Sequence, residues 1–112
     1  MQDKNHAPMS EAHMTEAAKL FGVLSEASRL KLLRALMEQP MTVTELVAET
    51  GMKQGNVSKH LGMLLNARFV AKEREGTFAR YRIADDNLYR LCELMCVRIE
   101  EDVRQRAAAL TR

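Results

Sequence analysis

The stretch Thr42–Val70, TVTELVAETGMKQGNVSKHLGMLLNARFV, constrains this chain more than any other. Thr42 followed three residues later by Glu45 is a capping box: hydroxyl and carboxylate each satisfy a backbone N–H that a helix start leaves free. Val43, Leu46 and Val47 then lay an apolar stripe along a short helix, and Gly51 stops it. In a second helix, Val57, Leu61 and Leu64 recur at i, i+4, i+7 and face inward. The opposite face carries Gly55, Ser58, Lys59 and Gly62, with Gln54 and Asn56 on the entry turn. Small, hydrogen-bonding and cationic side chains at the start of a short helix suit a DNA major groove. Two such helices around a tight turn read as a helix-turn-helix. An ordinary helical hairpin with a solvated outer face is the plain alternative.

The segment that follows weighs against that alternative. After Val70 the apolar period changes from 3.6 to 2. Phe69–Glu75 and Thr77–Ile83 read as two strands joined at Gly76. In the second strand Ala79, Tyr81 and Ile83 alternate with Phe78, Arg80 and Arg82, so one face is apolar and the other largely cationic. A hairpin directly after a recognition helix is a wing, from which Lys72, Arg74, Arg80 and Arg82 can reach phosphates or the minor groove. Charge supports this placement. Residues 53–82 hold seven Lys and Arg against two Glu, a local +5, while the other ten basic and thirteen acidic residues net −3. A surface for a polyanion requires such a concentration.

The flanks have a different job. Residues 1–9 form a polar tail, and Ser10 caps a helix running to about Leu24 with Met14, Ala17, Ala18, Phe21 and Leu24 on one face. Ser25 opens a second helix, with Leu30, Leu33 and Met37 (or Leu36) inward, which Pro40 closes. Asp85 or Asp86 caps a last helix from about Asn87 to Leu110. Its apolar seam (Leu88, Leu91, Cys92, Met95, Ile99, Val103, Ala107, Leu110) spans over five turns. A small winged domain cannot cover such a seam alone, so it predicts self-association into a two-fold dimer that pairs two recognition helices with two half-sites. The expected organisation is a tail (1–9) and one mainly α domain with a small β-hairpin (10–112): helix-turn-helix 42–67, wing 69–83, dimerisation helix 86–110.

Composition closes off other classes. With 46% apolar and 29% charged residues, a chain of 112 residues is globular, and 4% aromatics without Trp argue against a large aromatic-lined substrate pocket. No apolar run reaches the ~18 residues of a membrane span, no signal peptide is evident, and two Cys are too few for a disulfide scaffold, so a cytoplasmic location is expected. There is no Gly-rich phosphate loop, metal-ligand cluster or Cys–His nucleophile pair, and adjacent Ser58, Lys59 and His60 do not face one another on a helix. Neither enzymatic activity nor a cofactor is expected.

Three segments, LFGVLSEASRLKLLRAL, VTELVAETGMKQGNVSKHLGMLLNARFV and EREGTFARYRI, resemble the ArsR/SmtB family of winged-helix repressors over roughly residues 17–84. The family's "LSDPTRLxIL" stands here as Leu24–Leu33, with Glu26, Ala27 and Ser28 replacing Asp, Pro and Thr. Its "VSxHLxxLxxAGLV" begins at Val57, with Arg68 and Phe69 in place of Gly and Leu. Its wing signature appears as Arg74-Glu75-Gly76-Thr77 and Tyr81-Arg82-Ile83. The resemblance implies a homodimer that binds a double-stranded operator, represses its own operon and lets go when an inducer binds. It places Gln54, Gly55, Asn56, Ser58, Lys59 and His60 on the recognition helix and Arg74–Arg82 on the wing. Gln54, Asn56 and Ser58 are the candidates for base-edge contacts; His60 is angled toward the inner face and reads equally as a core or interface histidine. A winged-helix protein-interaction module remains the alternative to a DNA-binding repressor.

The family's arsenic-type site needs Cys-x-Cys where this chain has Thr42-Val43-Thr44, and its zinc-type site needs a His that the last helix lacks. Cys92 and Cys96, four residues apart, are the remaining candidate sensor. With His6, His13 or a partner group they could take a soft metal, or they could register oxidants. Lying on one apolar stripe with Ile99 and Val103, they read first as small packing residues. No metal site is assigned, and the inducer stays open.

Overall fold

The computed structural model describes residues 9–111; the expected tail lies outside them except for Met9. In chain order come α1 (Glu11–Leu24), α2 (Ala27–Glu38), β1 (Met41–Thr42), α3 (Val43–Thr50), α4 (Gln54–Asn66), β2 (Val70–Glu75), β3 (Phe78–Ile83) and α5 (Asn87–Leu110). The three strands form one antiparallel sheet in the order β1-β3-β2.

Local chemistry sets the helix ends. Ser10 caps α1 by accepting from the His13 N–H, and the His13 ring completes the box. Thr42 and Glu45 form the expected capping box on α3, and Gly51 ends that helix at φ +73°. The start of α2 differs from expectation: Glu26, not Ser25, is its N-cap, accepting from the Ser28 N–H, while the Ser25 hydroxyl donates back to the Gly22 carbonyl. At α5 it is Asp85 whose carboxylate accepts from the Asn87 N–H; the Asp86 side chain makes no cap bond.

The end of α4 is the least expected. The Phe69 N–H reaches the Leu64 carbonyl and the Arg68 N–H reaches that of Leu65, with Arg68 at φ +66°. This is a Schellman motif whose left-handed position, usually Gly, is filled by Arg. It turns the chain so that Phe69 and Val70 are buried.

One core holds these elements together: Leu32, Leu33, Ala35 and Leu36 of α2, Leu46 of α3, Val57, Leu61 and Leu64 of α4, Met41, Phe69, Val70 and Ile83 of the sheet and its approach, and Leu88 of α5. In α2 the buried face is not the one expected. Leu30 is 43% exposed and Leu32 is sealed. The segment carries apolar residues at 30, 32, 33, 35, 36 and 37, so more than one stripe fits it, and contact with α3 and α4 selects the 32/33/36 phase.

The flanking helices are left uncovered. No residue of α1 is buried, and on α5 only Leu88 is. Phe21 is 59%, Ile99 54% and Val103 57% exposed. The radius of gyration, 17.3 Å, exceeds the roughly 13 Å of a compact globule this long: α5 is about 36 Å long, and beyond Cys92 it leaves the core.

Candidate nucleic-acid interface

The outer face of α4 is built by the same periodicity that builds its inner one. Val57, Leu61 and Leu64 are sealed in the core, so Gln54, Gly55, Asn56, Ser58, Lys59 and Gly62 are all turned to solvent. An ideal Cβ at Gly55 or Gly62 would meet no atom within 4 Å. The fold therefore does not require glycine at either place. Lys53, at the N-cap of α4, is also exposed, a cation that the spacing of the helix does not single out.

His60 stands apart from this group. It is half-buried against α2, with Nδ1 3.4 Å from Nη1 of Arg29. Arg29 in turn donates from Nε to the Val23 carbonyl at 2.6 Å and from Nη1 to Sδ of Met63 at 3.0 Å. Of the two readings left open for His60, the inner one matches its position.

The wing divides its cations between two faces. Register pairs Ala71 with Arg82, Glu73 with Arg80 and Glu75 with Phe78 on one side, and Val70 with Ile83, Lys72 with Tyr81 and Arg74 with Ala79 on the other. On the first face every Arg is matched by carboxylate. Nε of Arg80 lies 3.1 Å from Glu75, its Nη1 3.0 Å from Glu45, and Nε of Arg82 3.7 Å from Glu73. The second face is the one the core packs on, through buried Val70 and Ile83. There Lys72 and Arg74 are exposed and have no carboxylate partner among the described residues. Among the described residues Lys53, Lys59, Lys72 and Arg74 have no acidic partner, whereas Arg80 is held.

Two carboxyls here titrate low. The Thr42 backbone N–H, and then Arg80, hold Glu45 below the ordinary carboxylate value, and the Ser28 backbone N–H does the same for Glu26. The Glu75 carboxylate, then Glu45, raises the pKa of Arg80.

These features are a helix-turn-helix with an exposed polar face, followed by a hairpin that presents exposed cations. The model of the bacterial regulatory protein, arsR family, matches residues 26–72. The biofilm growth-associated repressor of Agrobacterium fabrum is 35% identical over 88 residues, 79% of this chain and 75% of its own length. The chain belongs to the ArsR family. Solved structures agree with this membership. The antimony-specific transcriptional repressor AntR superposes with a TM-score of 0.77 at 35% identity, covering 90% of this chain and 92% of that one. The homodimeric winged helix-turn-helix DNA-binding domain from Mycobacterium bovis, described as a possible ArsR-family transcriptional regulator, superposes with a TM-score of 0.78 at 27% identity, covering 92% and 95%. The expected fold class, a winged helix-turn-helix, holds. The hairpin gains a short third strand, β1, and the protein is a DNA-binding transcriptional regulator.

The candidate sensor lies elsewhere. Cys92 is half-buried at the edge of the core and Cys96 is exposed one turn later on α5. Burial, with a lesser push from Cys96, raises the Cys92 pKa and so disfavours its reactive thiolate. His13 is occupied in the α1 cap, and His6 lies outside the described residues. Among the described residues no three His, Cys, Asp or Glu side chains converge as a metal would need, and no helix is long and apolar enough to cross a membrane.

Proposed function

We propose that this regulator is a homodimeric repressor whose two copies set α4 into major grooves on one face of an operator, with the wings alongside. The observation that carries the reading is the exposed N-terminal face of α4, bordered by exposed Lys53 and Lys59. Gln54, Asn56 and Ser58 offer the donors and acceptors for base edges, and Gly55 lets the helix backbone approach closely. Lys59, Lys72 and Arg74 supply phosphate contacts, with Arg82 as a weaker contributor because Glu73 lies near. His60 serves the α2–α4 junction instead. The uncovered stripes of α1 and α5 supply the dimer contact, an arrangement in keeping with the homodimeric relative.

For the operator-release step, the structure supports packing over sensing at Cys92, through its burial and raised pKa. Thr42, where the family's arsenic-type site would begin, spends its hydroxyl on the α3 cap.

The test is a salt titration of affinity for duplex DNA from the chain's own promoter. Lys59→Ala is expected to weaken binding and to lower the log–log salt slope by about 0.9, the value of one lost phosphate contact. An unchanged slope removes α4 from the interface. A protein-interaction module would show no affinity for random duplex even at low salt.

A further inference from the structure

The wing has an outer half that nothing apolar holds. Beyond the Lys72–Tyr81 pair, residues 73–78 are all exposed, and Ala79 and Arg80 are only half-buried. One side chain ties this half to the helices. Arg80 donates from Nη1 to Oε1 of Glu45 at 3.0 Å and to the Pro40 carbonyl at 3.4 Å, and from Nε to Oε1 of Glu75 at 3.1 Å. These partners belong to three places: the first turn of α3, the link from α2 into β1, and the end of β2 next to the Gly76 turn. Glu45 is itself fixed, because the same Oε1 accepts the Thr42 N–H at 2.9 Å. Thr42 in turn sits opposite Arg80 in the β1–β3 register. Among the described residues no other side-chain hydrogen bond or ion pair links the wing to the helices.

We propose that Arg80 is a positioning residue that locks the wing at a fixed angle to the helix-turn-helix, and that it makes no phosphate contact. The inference deepens the DNA-binding reading and rests on it. Its geometry argues against the role that an Arg on a wing suggests from sequence. A phosphate brought to this guanidinium also meets the carboxylates of Glu45 and Glu75, two negative charges around one positive. Those carboxylates already occupy Nε and Nη1 of the planar fork, and Glu45 is itself held by the Thr42 N–H. The benefit is preorganisation. A wing set at the right angle before encounter reaches the duplex together with α4 and gives up less conformational freedom on binding.

Salt-dependent operator affinity distinguishes the two roles. We expect Arg80→Gln to weaken binding by roughly five- to tenfold with the salt slope of the wild type. Glu45→Gln gives the sharper result. Gln at this position still serves a capping box, so the variant loses mainly the charge that holds Arg80. Removing an acidic group beside bound DNA should tighten binding on electrostatic grounds alone; we expect it to weaken binding instead. The double variant should be no weaker than Arg80→Gln. Arg80→Lys, which keeps the charge and loses the fork, should fail to rescue, and it serves also if Arg80→Gln proves poorly folded by circular dichroism. A slope lowered by about 0.9 in Arg80→Gln, tighter binding by Glu45→Gln, full rescue by Lys, or additive losses in the double variant would each overturn the proposal. Lys59→Ala, run beside them, reports on the DNA-binding face itself: if its slope also stays at the wild-type value, the assigned face is at fault and not the lock.

Discussion

At Gly55 and Arg68 the demands of folding and of DNA binding can be separated residue by residue. Gly55 lies inside α4 with open space where a Cβ would go. In a helix Gly costs about 0.5–1 kcal/mol relative to Ala. Gly55→Ala is therefore expected to raise the unfolding free energy by about that much in a denaturant titration while weakening operator affinity in a gel shift. Gain without loss would mean that DNA never comes close to this turn. Arg68 presents the reverse case, a side chain where the backbone is left-handed at φ +66°. Arg68→Gly should stabilise the fold by about 1 kcal/mol, read as a rise in Tm. No change in Tm would show that the motif bears no strain.

Among the elements, α3 and the wing depend on charges whose sign of effect is fixed. Glu45 titrates below its ordinary value because its carboxylate accepts from the Thr42 N–H and lies beside Arg80. A depressed carboxyl stabilises the fold above its unfolded pKa and loses that contribution as pH falls through the folded value. The stability advantage of wild type over Glu45→Gln should thus be complete at neutral pH and shrink once pH drops below about 4.5, the ordinary value for Glu. A gap that is constant from pH 7 to 3 in urea titrations would contradict the arrangement. On the wing, Lys72→Ala combined with Arg74→Ala should lower the salt slope by about 1.8, two phosphate contacts.

These elements also show what the sequence can carry. The capping box at Thr42 and Glu45, the stop at Gly51 and the inward stripe of α4 are local patterns, each confined to a few residues, and they appear where their spacing puts them. The period-2 run after Val70 likewise announces the hairpin. Strand β1 stays hidden because two residues cannot show an alternation, and Thr42 already reads as a cap. Arg80 looks like a free wing cation because its partner Glu45 is 35 residues away in the chain. Leu32 and Leu30 exchange roles because α2 offers more apolar positions than one face can bury.

On the scale of the whole molecule, one subunit accounts for its core but not for α1 and α5, whose apolar residues face solvent along some five turns of the last helix. The dimer proposed here covers them and spaces two copies of α4 at a fixed separation. Ile99→Glu, on the exposed stripe of α5, is expected to shift the protein to monomer in sedimentation while leaving the winged core folded, because Ile99 contributes nothing to that core. The most direct measurement is a hydroxyl-radical footprint on the chain's own promoter. The account predicts two protected patches related by a two-fold axis, on one face of the duplex and separated by about one helical turn, ~34 Å, or a whole multiple of it. Ile99→Glu should abolish both together. A single asymmetric patch, or protection that survives in the monomer, would contradict it.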